Sequence, residues 1–185
     1  ASGGFFAGAL DQVQIYNYVL NATEVSNLYT RTQAQLPVTS SLAGHWKLDE
    51  TTGSTSADTS GNGINGTWNN SPTFSATYPT LVRYPDVGCL SFNGANQSVG
   101  MGNPSALPSG TGARTICCWA KSASTAAGMR VMAAFGAATT SEAMFIGMNG
   151  TSLVGGGYNN DLSVASFWDG NWHFIALTYD GTTAH

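Results

Sequence analysis

The residue types best suited to hold a ligand crowd into one glycine-rich stretch. Asp58, Asn62 and Asn65 bring carboxylate and amide oxygens close together in the chain. Gly61, Gly63 and Gly66 between them let backbone carbonyls turn toward a common point. Hard oxygen donors on a flexible loop are what calcium takes. Asp11 and Asp49, each on a strand pattern elsewhere, stand to add carboxylates from beside the loop. The other reading is a plain turn, in which Asp58, Ser60 and Asn62 hydrogen-bond their own backbone. Under either reading the role is structural.

Hydrolysis of a glycosidic bond needs two carboxylates held on one face across the scissile bond. The ten acids here are Asp11, Glu24, Asp49, Glu50, Asp58, Asp86, Glu142, Asp161, Asp169 and Asp180. No set has the close alternate spacing that puts two on one strand face, and the adjacent Asp49 and Glu50 point to opposite faces. His45 and His173 fall on strand patterns and His185 at the end, so no triad forms either. The expectation is a protein without catalytic activity.

Aromatic side chains are the other route to ligands. Trp46, Trp119 and Trp172 lie in alternating strand patterns and read as core. Trp68, Trp168 and Tyr158 fall in or beside loops, where a ring stacks on a sugar. Tyr158, Asn159 and Asn160, after the glycines at 155–157, form the most ligand-like loop: flexible, aromatic and amide-bearing. A wide turn is its plain alternative.

The elements that must position these residues are mostly strands. Residues 8–17 alternate polar and apolar positions, with Val13 and Ile15 on one face. Asn21 and Glu24 fit a capping box, and Leu20 and Val25 a hydrophobic staple, which predicts a helix from there to about residue 30. Residues 31–41 carry Pro37 and read as a linker. Strand patterns resume around Trp46 and recur at 90–92, 115–119, 131–135, 144–146, 162–164 and 172–179. Many short strands and one short helix predict an all-β antiparallel sandwich of the jelly-roll kind. Cys89, Cys117 and Cys118 are odd in number; one bridge from Cys89 or three buried thiols are the alternatives.

Five motifs carry a resemblance. GHWKLDETTG (44–53) with ADTSGNGING (57–66), then LSFNG (90–94), TICCW (115–119) and WHFIALTYDG (172–181), resemble the laminin-G-like jelly rolls of the concanavalin A-like lectin/glucanase superfamily. GALDQVQIYN (8–17) and the helix after it resemble that family's closing strand and helix. The resemblance implies a structural calcium near Asp58. It also implies an unusual order, since the closing motif precedes the opening one. Residues 1–30 are thus expected to be a closing strand and helix, 31–41 a linker, and 42–185 a jelly-roll body incomplete at its C-terminal end. A window across two tandem copies, or a subunit lending residues 1–30 to a neighbour, is favoured over permutation.

Composition narrows the partners. Only 9% of residues are charged and Lys plus Arg number 6, too few for a surface that tracks phosphates, so nucleic acid is excluded. No apolar run approaches the roughly 18 residues of a membrane helix. Two function classes follow. One is an extracellular, cell-surface or particle-surface module for recognition or adhesion, binding a glycan or a protein. The other is a structural repeat or subunit of a filament, appendage or virus particle. In both, residues 1–30 are expected to contact a neighbouring copy or repeat.

Overall fold

The structure of the protein, a computed structural model, describes residues 4–30, 41–80, 86–136, 142–157 and 160–185. The fold is an all-β sandwich, almost wholly antiparallel, with one short helix. The expected linker falls at 31–41, and all of it but residue 41 lies outside the described residues.

The N-terminal segment is the keel of the molecule. β1 (Gly4–Phe5) leads into β2 (Ala7–Tyr16), which runs down the middle of a six-stranded sheet. One side of β2 pairs with β9 (Arg114–Lys121). Its other side pairs first with β7 (Cys89–Asn93) and then with β3 (Leu42–Trp46). β14 (Trp172–Tyr179) extends this sheet beyond β9, and β6 (Thr73–Ser75) extends it beyond β7. Residues 4–30 and the body therefore share one sheet within one chain. Both sides of β2 are filled by strands of its own chain, so residues 10–16 present no open edge to a neighbour.

Facing this layer is a five-stranded sheet in the order β1, β10 (Met129–Phe135), β11 (Met144–Asn149), β12 (Ser152–Gly157) and β13 (Asn160–Val164). A small third sheet holds β4 (Thr55–Ser56), β5 (Gly66–Asn69) and β8 (Ser98–Gly100). Apolar residues at alternate positions of the facing strands make the main core: Val13, Ile15, Trp46, Ile116, Ile146, Met148, Ile175 and Leu177 are all buried. Interdigitation of such rows is what holds a sandwich closed.

Helix α1 (Ala22–Thr30) covers the opposite face of the six-stranded sheet. Its start matches the expected caps. Glu24 N donates to Asn21 Oδ1 at 3.0 Å, and Asn21 N donates to Glu24 Oε2 at 2.8 Å. Leu28 is fully buried, Val25 packs with Leu20, and Tyr29 stacks on Trp119 with ring centroids 5.5 Å apart. The three cysteines are buried and form no disulfide. Cys89 and the Cys117–Cys118 pair lie on strands with β2 between them, so strand spacing alone puts them about 9–10 Å apart, beyond disulfide reach.

Candidate functional site

The loop expected to hold calcium is closed by its own hydrogen bonds. Asp58 Oδ1 accepts from the His45 and Ser60 backbone N–H groups, and Oδ2 accepts from Ile64 N and Ser60 Oγ, all at 2.8–3.0 Å. Burial would raise this carboxyl, but the backbone donors of Ser60, His45 and Ile64 outweigh it and hold its pKa below the usual value. Asn65 Oδ1 accepts from Asp58 N, and Asn62 Nδ2 donates to the Leu42 and Ala43 carbonyls. The Trp46 indole N–H donates to the Ile64 carbonyl at 2.7 Å and fixes the far side. The plain-turn alternative describes Asp58, Asn62 and Asn65: their polar atoms serve the loop.

Asp11 and Asp49 sit elsewhere, and together. β2 carries a one-residue bulge between Asp11 and Gln14, with Gln12 at φ 51°. The bulge lies where β2 leaves β7 and meets β3. It turns the Asp11 carboxyl, fully buried, toward Asp49 just past β3 and Asp86 just before β7. Carboxylate oxygens of Asp11, Asp49 and Asp86 lie within 4.8 Å of one another. Burial, and then the neighbouring Asp86 carboxylate, push the Asp49 pKa up to about 6. A side-chain hydrogen bond between Asp49 and Asp86 adds to the rise, and Asp49 Oδ1 and Asp86 Oδ2 are buried away from any other donor. Three crowded carboxyls with such atoms fit a hard divalent cation, which would neutralise the charge they share. Sequence reading missed Asp86, because nothing local marks a residue whose role is fixed by a bulge on a distant strand.

The aromatic candidates are also corrected. Trp168 is 6% exposed and packs in the core against Phe167, so it offers no face to a sugar. Trp68 is half-buried against the core, and its indole N–H is spent on Ser56 Oγ at 2.8 Å. Tyr158 and Asn159 lie outside the described residues. Asn160 opens β13, and the glycines before it belong to β12, paired to β13 from Gly157↔Asn160 to Leu153↔Val164. Residues 155–157 and 160 of the expected loop are therefore strand residues. A Cβ at 155 would stand 3.5–3.6 Å from the Leu177 methyls, ordinary contact distance.

A cleft of about 830 Å³ opens between the layers. Its floor is Leu10, Val13, Ile15 and Trp46; its walls are Phe5 and β10 on one side, and β8 with the 101–110 loop on the other. β10 pairs with β1 only at Arg130 and Val131, and β8 pairs only with β5, so both strands turn an open edge toward the gap. Phe5 stands at this place 41% exposed. Glu142 is the one carboxylate among the described lining residues. Comparison of the chain with protein-family models, curated proteins and solved structures finds no match. The reading of the site rests on its own geometry.

Proposed function

We propose that this chain is a non-enzymatic β-sandwich module, extracellular or on a particle surface, that works in recognition or adhesion through polypeptide contacts. The cleft carries the reading. Phe5, 41% exposed over an apolar floor, is a surface of the kind that marks an interaction site. Over the floor of Leu10, Val13, Ile15 and Trp46 a sugar hydroxyl finds no partner, although Gln97, Ser98, Asn103 and Glu142 also line the cleft, and an unpaired polar group costs about 1–3 kcal/mol. Apolar side chains of a protein meet no such penalty. The partner is a neighbouring copy or repeat, and the N-terminal segment meets it through Phe5 at the cleft; β2 itself stays internal.

The laminin-G-like resemblance is part of this proposal. The central β2 and α1 are supplied from the N-terminal side of the body, which accords with that family's closing strand and helix in an exchanged order. A structural calcium, if the module takes one, is assigned to Asp11, Asp49 and Asp86 rather than to the Asp58 loop. Its chemistry there would be charge neutralisation at the junction of β2, β3 and β7. The cleft, with one described carboxylate, lacks the pair that glycoside hydrolysis needs.

The alternative, a repeat or subunit of a filament or particle, draws on the same open edges. A glycan array together with sedimentation across a concentration range tests the proposal. The expected result is no glycan binding and reversible self-association; specific glycan binding at the cleft would overturn it.

A further inference from the structure

A buried cation stands behind one end of the cleft. Arg114 opens β9 and is only 2% exposed. A guanidinium so deep is tolerated where its charge and its N–H groups are met. Arg114 Nη1 donates to the Gly110 carbonyl at 2.6 Å and to the Gly112 carbonyl at 3.0 Å. The planar group lies over the ring of Tyr179, 4.8 Å from its centroid; Tyr179 is its partner in the β14–β9 ladder. Burial lowers the guanidinium pKa, and the Tyr179 and Glu142 charges act against that fall.

These partners come from opposite walls. Gly110 ends the 101–110 loop, which continues the wall begun by β8. Glu142 belongs to the β10 wall. Gly136, just past β10, has φ 89° and lies so close to the Glu142 carbonyl that a Cβ there would collide with it. The Phe135↔Met144 pair carries the same junction into the β10–β11 ladder. Arg114 thus meets one wall by hydrogen bonds and the other by charge. β8 and β10 belong to different sheets, so no ladder between them fixes their spacing. A planar fork that holds two carbonyls, covers a ring and faces a carboxylate suits arginine and not lysine.

We infer that Arg114 is the positioning residue of the cleft: braced between the 101–110 loop and Glu142, it sets the spacing of the walls and so which partner side chains reach the floor. This deepens the reading of the cleft as the recognition site and rests on it.

The test measures the spacing directly. Nitroxide labels on Ser105→Cys and Ala134→Cys, both exposed and on opposite walls, report their separation by electron paramagnetic resonance; the native thiols are buried and stay unlabelled. The expected result is one narrow distance distribution, broadened or shifted by Arg114→Lys. Glu142→Gln, which touches neither loop carbonyl, is expected to do the same. A residue that only fastened its own loop would leave the distances unmoved by Glu142→Gln. Gly110→Ala is the variant that leaves the buried cation in place: a Cβ there has open space, but φ 65° strains it and displaces the carbonyl that Arg114 holds. Sedimentation of the unlabelled chains is expected to show self-association weakened about tenfold by Glu142→Gln, with melting within a few degrees of the parent. Distances unchanged in both Glu142→Gln and Gly110→Ala overturn the proposal. So does a changed spacing with association at parental strength. A parent chain that stays monomeric while both variants change the spacing defeats the reading of the partner and supports the brace, so the two fail separately.

Discussion

The indole N–H of Trp46 donates to the carbonyl oxygen of Ile64 at 2.7 Å, from a side chain only 1% exposed. A core tryptophan thereby ties down the end of a loop whose middle is organised by Asp58. The loop is a plug over the β3 end of the sandwich, and its polar atoms are its own fastening. Removing the acceptor leaves the N–H groups of His45, Ser60 and Ile64 without it. Asp58→Ala is expected to cost about 2 kcal/mol, or a fall in Tm of roughly 4–8 °C for a chain of this size. Thermal unfolding checks this, and a chelator should leave the difference between the two proteins unchanged.

Asp49 gives a pH dependence of definite sign. Its folded pKa, about 6, lies above the ordinary carboxylate value of 3.8. A raised pKa means the folded state holds the proton more tightly. The stabilisation is full below pH 3.8 and is lost as pH rises through about 6. Burial and the Asp86 and Glu50 charges drive the shift, and Lys47 opposes it. In chelated protein, Tm should fall by roughly 2–4 °C between pH 4.5 and 7, after discounting for partial solvent access. Asp49→Asn should flatten that slope in thermal melts taken across the range.

Calcium separates the two acidic regions. Titration calorimetry after chelation is expected to show heat with the wild-type chain and with Asp58→Asn, and none with Asp49→Asn. Binding to the folded state raises Tm by mass action, so the melts must move with the heat. Heat lost on Asp58→Asn but kept on Asp49→Asn would return the site to the loop.

Hydrolase activity is expected to be nil. Release of reducing ends from common β-glucans, abolished by substituting Glu142 or any one of Asp11, Asp49 and Asp86, would overturn the non-enzymatic reading.

Much of the fold was legible because it is locally encoded. Alternation marked residues 8–17 and 172–179, now β2 and β14. The Asn21–Glu24 spacing marked the helix start, because a capping box depends on neighbours alone. The glycines at 155–157 misled: they lack the side chains that carry a period-2 signal, and they are in β12, paired between β11 and β13. The Asp11–Asp49–Asp86 cluster was only partly visible. It depends on a bulge in β2 and on three segments meeting, which no single stretch of sequence displays. Trp168 read as a loop residue, yet the loop folds inward and buries it at 6%.

The most direct test of the account is self-association of the intact chain compared with Phe5→Asp, measured by sedimentation velocity from micromolar to millimolar concentration. Phe5 is 41% exposed at the cleft, so the change leaves the core in place while putting a charge where apolar side chains must seat. The account predicts reversible association of the parent chain, weakened at least tenfold by Phe5→Asp, with the two proteins melting within a few degrees of each other. A parent chain that stays monomeric throughout, or association that Phe5→Asp leaves unchanged, would contradict it.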